Sequence, residues 1–251
     1  ALKAIISDEI TIGRRKISMQ CSAGAVVFPE QIESRFDVIS SAEHALQQAK
    51  ERGRNQCSLF APEMLAIKDA ARELEEDLSR ALQNNDELSM VYQPKVDAHG
   101  RLTGSEALLR WHHPVKGFIS PAHFIPIAEE TGLIHELGKW VLRRVFEQIR
   151  DWQQRNVPLH RVSINVTASQ FAEGDFIHYL LAQRADYHIP AQLIEVELTE
   201  SSLLFDSHKA IEQLKTLQNT GISVALDDFG TGYSSLSYLR DLPLNVLKID
   251  K

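Results

Sequence analysis

A chain of 251 residues, 43% hydrophobic and 24% charged, is long enough to bury one large core and too polar to be an array of membrane helices. Its net charge of −7 argues against broad binding to nucleic-acid polymers or anionic lipid, which needs a clustered basic surface, so an anionic ligand has to be held by local cations. Cys21 and Cys57, without partner cysteines or histidines at zinc-finger spacing, support neither a disulfide scaffold nor a structural zinc. No apolar run approaches the roughly 20 residues of a membrane helix. The opening Ala1-Leu2-Lys3-Ala4-Ile5-Ile6 lacks the layout of a signal peptide, so a cytoplasmic location is the expectation.

Residues 17–28 alternate and then run apolar as a strand does, and Pro29 ends them. Ser41 to Arg52 predict a helix, with Ala42, Ala45, Leu46 and Ala49 on one stripe and Gly53 as the stop; Cys57 to Phe60 predict a returning strand. This order, with Ala45-Leu46 and Ala49-Lys50-Glu51-Arg52-Gly53-Arg54-Asn55, resembles the carboxyl-terminal part of a GGDEF domain. Gln47 stands where that family has Tyr, and the signature acidic hairpin is not among these residues. The expectation for residues 1–61 is therefore a GGDEF-like remnant that packs and spaces, not a diguanylate cyclase. Residues 62–87 then predict a connector helix, with Leu65, Leu74, Leu78, Ala81 and Leu82 as a narrow apolar stripe and Glu73, Glu75, Glu76 and Asp77 as a solvated face.

From Leu88 the chain alternates strand signals (88–97, 102–111, 161–167, 193–199, 222–228, 246–250) with helical ones (121–131, 133–155, 169–187, 207–220, 234–240). From the second strand onward this is a βαβ series, which implies parallel strands. Ala98-His99-Gly100-Arg101 is too short for a crossover, so the first two strands should pair antiparallel. The predicted fold class is α/β: a TIM-like (β/α) barrel with an antiparallel first strand, of about six strands in this chain and hence incomplete.

A barrel of this kind gathers its chemistry at the carboxyl ends of its strands. Those positions hold Glu106, Asn165, Glu197, Asp227, Asp228 and Lys248, each interrupting an apolar strand. Adjacent or converging carboxylates repel unless a cation or proton lies between them, and burying even one unpaired costs several kcal/mol. A divalent cation is the simplest compensation, and an oxygen-only donor set suits Mg²⁺ or Mn²⁺ rather than zinc. His112, His113 and His123 lack the partners of a zinc site and are expected at the surface. For each acid singly, a salt bridge or a helix cap is the alternative, above all for Glu200 beside Ser201 and Ser202.

These residues resemble the EAL domain, the bacterial cyclic-di-GMP phosphodiesterase family. Glu106-Ala107-Leu108, the Asn165 strand, Glu197-Leu198-Thr199-Glu200, Asp227-Asp228-Phe229-Gly230-Thr231-Gly232 and Leu247-Lys248-Ile249-Asp250 follow in the family's order, over roughly residues 75 to 251. The resemblance implies hydrolysis of cyclic di-GMP to linear pGpG with two metal ions, Mg²⁺ or Mn²⁺. Glu106, Asn165, Glu197 and Asp227 would hold the first ion, and Asp227 with Asp228 would help place the second. Lys248 would orient the attacking water or neutralise charge, Gln93, Leu109 and Arg110 would contact the substrate, and Glu200 would steady the Asp-Asp-Phe-Gly loop. The alternative is a catalytically silent receptor or interaction module.

The domain expectation is thus 1–61 GGDEF-like, 62–87 connector helix and 88–251 EAL domain. The family's barrel has two more strands, bearing a further acidic metal residue and a glutamine. The chain is therefore expected to be a piece of a longer protein, aggregated or inactive when purified alone. A homodimer and an upstream sensor or membrane-anchored domain are compatible with the resemblance.

Overall fold

The computed structural model describes residues 10–12, 15–17, 20–28, 30, 37–84, 86–173, 175–199, 202, 207–230 and 242–249. The expected helix at 234–240, Glu200, Thr231, Gly232 and Asp250 lie outside the described residues. The chain divides into two units, Ala1–Leu74 and Glu75–Lys251.

In the first unit, β1 (Ile10–Ile12) and β2 (Arg15–Ile17) pair antiparallel, and β3 (Ala23–Ala25) pairs parallel with β4 (Cys57–Leu59). The strand expected over 17–28 is thus broken, with β3 only three residues long. Helix α1 (Asp37–Glu51) lies on β3 so closely that a Cβ at Gly24 would fall 2.0 Å from the Ala42 carbonyl oxygen, so only glycine fits there. Ala45 and Phe60 form a small core with Val26 and Met64 against it. Helix α2 (Glu63–Asn84) begins in this unit and runs on into the second, to which its buried Leu78 and Ala81 belong.

The second unit is built on a seven-stranded mixed sheet. Its strands are β5 (Leu88–Val96), β6 (Leu102–His113), β7 (Gly117–Ile119), β8 (Arg161–Val166), β9 (Ile194–Thr199), β10 (Ser223–Phe229) and β11 (Val246–Ile249). The order is β11-β10-β9-β8-β6-β5, with β7 hairpinned onto β6. The β5–β6 pair is antiparallel and the β6–β8, β8–β9, β9–β10 and β10–β11 pairs are parallel, as the loop lengths demanded. The sheet is not closed, so the described residues form a (β/α) barrel wall rather than a full barrel. The β6–β7 hairpin was not expected.

Helices α3 (Pro121–Thr131) and α4 (Leu133–Gln154) meet at Gly132, whose φ of 80° turns the chain sharply. The expected helix over 169–187 is two, α5 (Ala168–Glu173) and α6 (Asp175–Asp186), and α7 (Ser207–Thr220) precedes β10. The core lies between these helices and one face of the sheet: Leu142, Val145, Phe146 and Ile149 of α4 meet Val162 and Ile164 of β8 and Val196 and Leu198 of β9, all essentially inaccessible. Each such side chain contributes about 1.5–3 kcal/mol of transfer free energy. Because strand side chains alternate, burying one set on the helices sends the residues between them to the opposite, inner face.

Candidate active site

The inner face is polar. Glu106, Ser163, Asn165, Glu195, Glu197, Ser223, Asp227 and Lys248 all come from it, and the register sets Glu106 beside Ser163, Asn165 beside Glu197, and Asp227 beside Thr199. Five strands thereby deliver polar groups to one place. Lys248 Nζ donates to Glu197 Oε2 at 2.6 Å and to Asp227 Oδ2 at 2.6 Å, and lies 3.7 Å from Glu106 Oε2. Asn165 Nδ2 donates to Glu106 Oε1 at 2.8 Å. The Glu197 side chain is wholly buried, while those of Glu106 and Asp227 are 22% exposed, so the cluster opens outward.

Burial pulls the Lys248 ammonium downward, but the hydrogen bonds to Asp227 and Glu197 and the charges of Glu197 and Glu106 outweigh it and hold the group above its ordinary 10.5. Local backbone aims these groups. Asp227 and Asp228 sit where the β10–β11 register shifts, and Asp228 takes φ 54°, the left-handed region. The Asp228 N–H donates to Asp227 Oδ1 at 3.0 Å, turning that carboxylate inward. Asn245 brings β11 into place by accepting from the Val224 N–H and donating its own N–H to the Val224 carbonyl, both at 2.9 Å. At β8, Thr167 and Gln170 form a reciprocal capping box: the Thr167 N–H donates to Gln170 Oε1 at 3.0 Å and the Gln170 N–H to Thr167 Oγ1 at 3.5 Å. That cap follows the end of the strand at Val166, one residue past Asn165.

Of the expected substrate contacts, Gln93 pairs directly across from Glu106 and is exposed, and Arg110 follows Glu106 by four residues on the same face of β6. Leu109 alternates with Arg110 along β6 and stands across from Met90, and both Leu109 and Arg110 line a mainly apolar cavity of about 240 Å³ with Ala107, Ile134, Leu137, Ile164 and Asn165. His112 and His123 are exposed as expected, but His113 is buried, because β6 runs past Trp111 and returns through β7. Its Nε2 lies 3.1 Å from Asp77 Oδ2, and Lys116 Nζ donates to the same oxygen at 2.7 Å. Asp77 is thus a buried partner and not part of a solvated helix face.

Sequence reasoning missed a second layer beneath the acids. Lys95 Nζ reaches Glu197 Oε1, Glu195 Oε1 at 3.2 Å and Ser163 Oγ at 2.5 Å. Glu195 Oε1 also accepts from Ser163 Oγ at 2.7 Å, and Oε2 from Ser223 Oγ at 3.0 Å and Arg161 Nη1 at 3.3 Å. Burial pushes the Glu195 carboxyl up, yet the Ser163 hydrogen bond and the Lys95 charge leave it below its ordinary 4.5. The available signal was period two: each member stands two residues, or for Ser223 four, from a site residue or from another member of the layer on its own strand. Compensating charge, assigned from sequence to a divalent ion, is therefore supplied in part by two lysines.

Among the described residues, no three acidic, histidine or cysteine side chains are assembled closely enough to hold an ion unaided. The three carboxylates converge instead on an ammonium. Even so, among the described residues the ion pairs of Glu106, Glu197 and Asp227 are with Lys248 and Lys95, two cations for three carboxylates, and the donors are all oxygen. That set fits a hard divalent ion.

An α/β barrel wall with acids, an amide and a lysine gathered at its strand ends has the layout of a barrel enzyme's active site. The chain belongs to the EAL domain family, whose model matches residues 75–251. It is 37% identical to the cyclic di-GMP phosphodiesterase PA2567 of Pseudomonas aeruginosa, over 100% of this chain and 43% of that protein. It is also 37% identical to the cyclic di-GMP phosphodiesterase PdeR of Escherichia coli, over 100% of this chain and 39% of that protein. The chain thus spans about two fifths of these relatives' length. Among solved structures, the PaMucR phosphodiesterase in complex with c-di-GMP superposes with a TM-score of 0.67 at 40% identity, covering 71% of this chain and 72% of that one. The EAL enzyme Bd1971 bound to cAMP and cyclic di-GMP gives 0.68 at 27% identity, covering 86% and 56%.

Proposed function

We propose that this chain is the catalytic part of a metal-dependent phosphodiesterase that opens cyclic di-GMP to linear pGpG. The observation that carries the reading is the convergence of Glu106, Glu197 and Asp227 on the Lys248 ammonium, with Asn165 hydrogen-bonded to Glu106. Relatives named for this activity and a likeness to a c-di-GMP complex support it.

Glu106, Asn165, Glu197 and Asp227 would hold one Mg²⁺ or Mn²⁺, and Asp227 with Asp228 a second. When bound, such ions would supply positive charge to the phosphoryl oxygens and lower the pKa of water, so that hydroxide could attack phosphorus. The chain's own residues do the rest. Arg110 offers a planar guanidinium fork to the phosphate and Gln93 an amide. Leu109 reaches the ligand only by way of the apolar cavity wall. Lys248 neutralises charge as the 3′ oxygen departs, and Glu200, outside the described residues, would steady the Asp-Asp-Phe-Gly loop.

For the rest of the chain, we propose a GGDEF-like part over 1–61, a connector over 62–87 and the EAL domain over 88–251. Among the described residues no helix is long and apolar enough to cross a membrane. A cytoplasmic site of action for this segment is part of the proposal. A homodimer and an upstream sensor or membrane-anchored domain remain part of the proposal for the whole protein.

The test is Mn²⁺-dependent linearisation of cyclic di-GMP by the full-length protein, followed by chromatography of pGpG. Glu106→Ala should abolish it. Unchanged turnover in that variant would overturn the role given to Glu106, and binding of cyclic di-GMP without turnover in the parent would replace the enzyme by a receptor.

A further inference from the structure

Lys95 lies on β5, outside the set of strand-end groups, yet its ammonium is spent entirely on the inner face. An ammonium has three protons. Here three acceptors take them: Ser163 Oγ at 2.5 Å, Glu195 Oε1 at 3.2 Å and Glu197 Oε1. Ser163 in turn donates a hydrogen bond to Glu195 Oε1 at 2.7 Å, and Ser223 and Arg161 donate to the other oxygen of Glu195. The tripod therefore has no rotational freedom. Glu195 and Glu197 are 5% and 0% exposed in their side chains, so water cannot take over either role.

The two oxygens of Glu197 are consequently divided. Oε1 is held from below by Lys95, and Oε2 faces the mouth, where Lys248 meets it at 2.6 Å. We propose that Lys95 is a positioning residue, which locks one oxygen of Glu197 so that a single, oriented oxygen is offered to a divalent cation in the mouth. The inference rests on the metal-site reading above. Groups that orient a ligand in this way typically govern metal affinity by about 10–100-fold.

A bland role competes: Lys95 could serve only to neutralise buried Glu195. The two separate in a double variant, Lys95→Met/Glu195→Gln, which removes both charges together and so leaves no carboxylate stranded by the loss of Lys95 except Glu197. Mn²⁺ affinity of the full-length protein, measured from the electron paramagnetic resonance signal of free Mn²⁺, is read beside the thermal midpoint. The expected result is a midpoint close to that of the parent and Mn²⁺ binding weaker by about tenfold or more. Binding within about twofold of the parent would overturn the inference and leave Lys95 a charge neutraliser.

Glu195→Gln alone is the second arm, because its amide oxygen still accepts from Lys95 and the Lys95–Glu197 contact survives. It should bind Mn²⁺ within about twofold of the parent, and a tenfold loss there would overturn the assignment whether or not the double variant folds. A parent protein that binds no Mn²⁺ refutes the metal-site reading itself, a different failure from equal binding by parent and double variant.

Discussion

At the scale of single residues the site is a problem in charge. Glu197, Asp227 and Glu106 are tolerable neighbours because Lys248 sits among them, held by two contacts of 2.6 Å and one of 3.7 Å. Lys248→Met should therefore expose their mutual repulsion. The expected cost is about 3 kcal/mol, the low end for uncompensated buried carboxylates because the mouth admits water. Mn²⁺ should recover more stability in this variant than in the parent, since it restores positive charge to the same oxygens. Urea midpoints with and without Mn²⁺ check this; a variant as stable as the parent, or insensitive to the ion, would show that Lys248 is not what reconciles the acids.

At the scale of elements, the positions of these residues depend on how strands end. The Thr167–Gln170 box caps α5 just past the strand end, and Gln170 Nε2 also donates to the Ile134 carbonyl of α4 at 2.7 Å. This crossing leaves no space at Gly138, where a Cβ would lie 2.1 Å from Gln170 Nε2. Gly138→Ala should displace the glutamine and destabilise the protein by about 1–3 kcal/mol, as overpacking does. Denaturant midpoints test it, and a neutral outcome would mean that Gln170 has another rotamer available. Both the strand boundary and the amide are polar details inside an apolar layer, and the sequence marks them only as an isolated Thr-x-x-Gln and a mid-helix glycine.

At the scale of the whole molecule, α2 is tied to the β6–β7 hairpin through Asp77, which meets Arg80, Lys116 and His113. His113 Nδ1 accepts the N–H groups of Val115 at 3.1 Å and Lys116 at 3.0 Å, so the hairpin turn is held by the same ring that faces Asp77. Burial pushes the Asp77 carboxyl up, but the hydrogen bonds from Lys116 and Arg80 and the charges of Lys116 and His113 prevail and leave it below its ordinary 3.8. A depressed carboxyl contributes stability that is fully present above 3.8 and is lost as pH falls through its native value. Asp77→Asn should thus cost about 1–3 kcal/mol near neutral pH, moderated by the exposure of Lys116 and Arg80. The gap to the parent should close on acidification below 3.8. Midpoints measured on both sides of that value decide it; a constant gap would assign the effect to packing.

The order of residues was enough to specify the alternating strands and helices, the antiparallel first pair and the acids at the strand ends. Those features rest on local periodicity and on loops too short for any other connection. It was also enough to bring Glu106, Asn165, Glu197, Asp227 and Lys248 forward as a set, since each breaks an apolar run. Assembly of the barrel wall decided the rest. Whether His113 and Asp77 faced solvent, which cavity Leu109 lined, and that Lys95 and Glu195 underlie the acids all turn on contacts between residues distant in the chain. A lysine two positions past a glutamine looks like any surface lysine until the neighbouring strands bring Ser163, Glu195 and Glu197 within reach of its ammonium. Period and punctuation are encoded locally, but electrostatic partnership is a property of distance, and distance exists only once the strands are side by side.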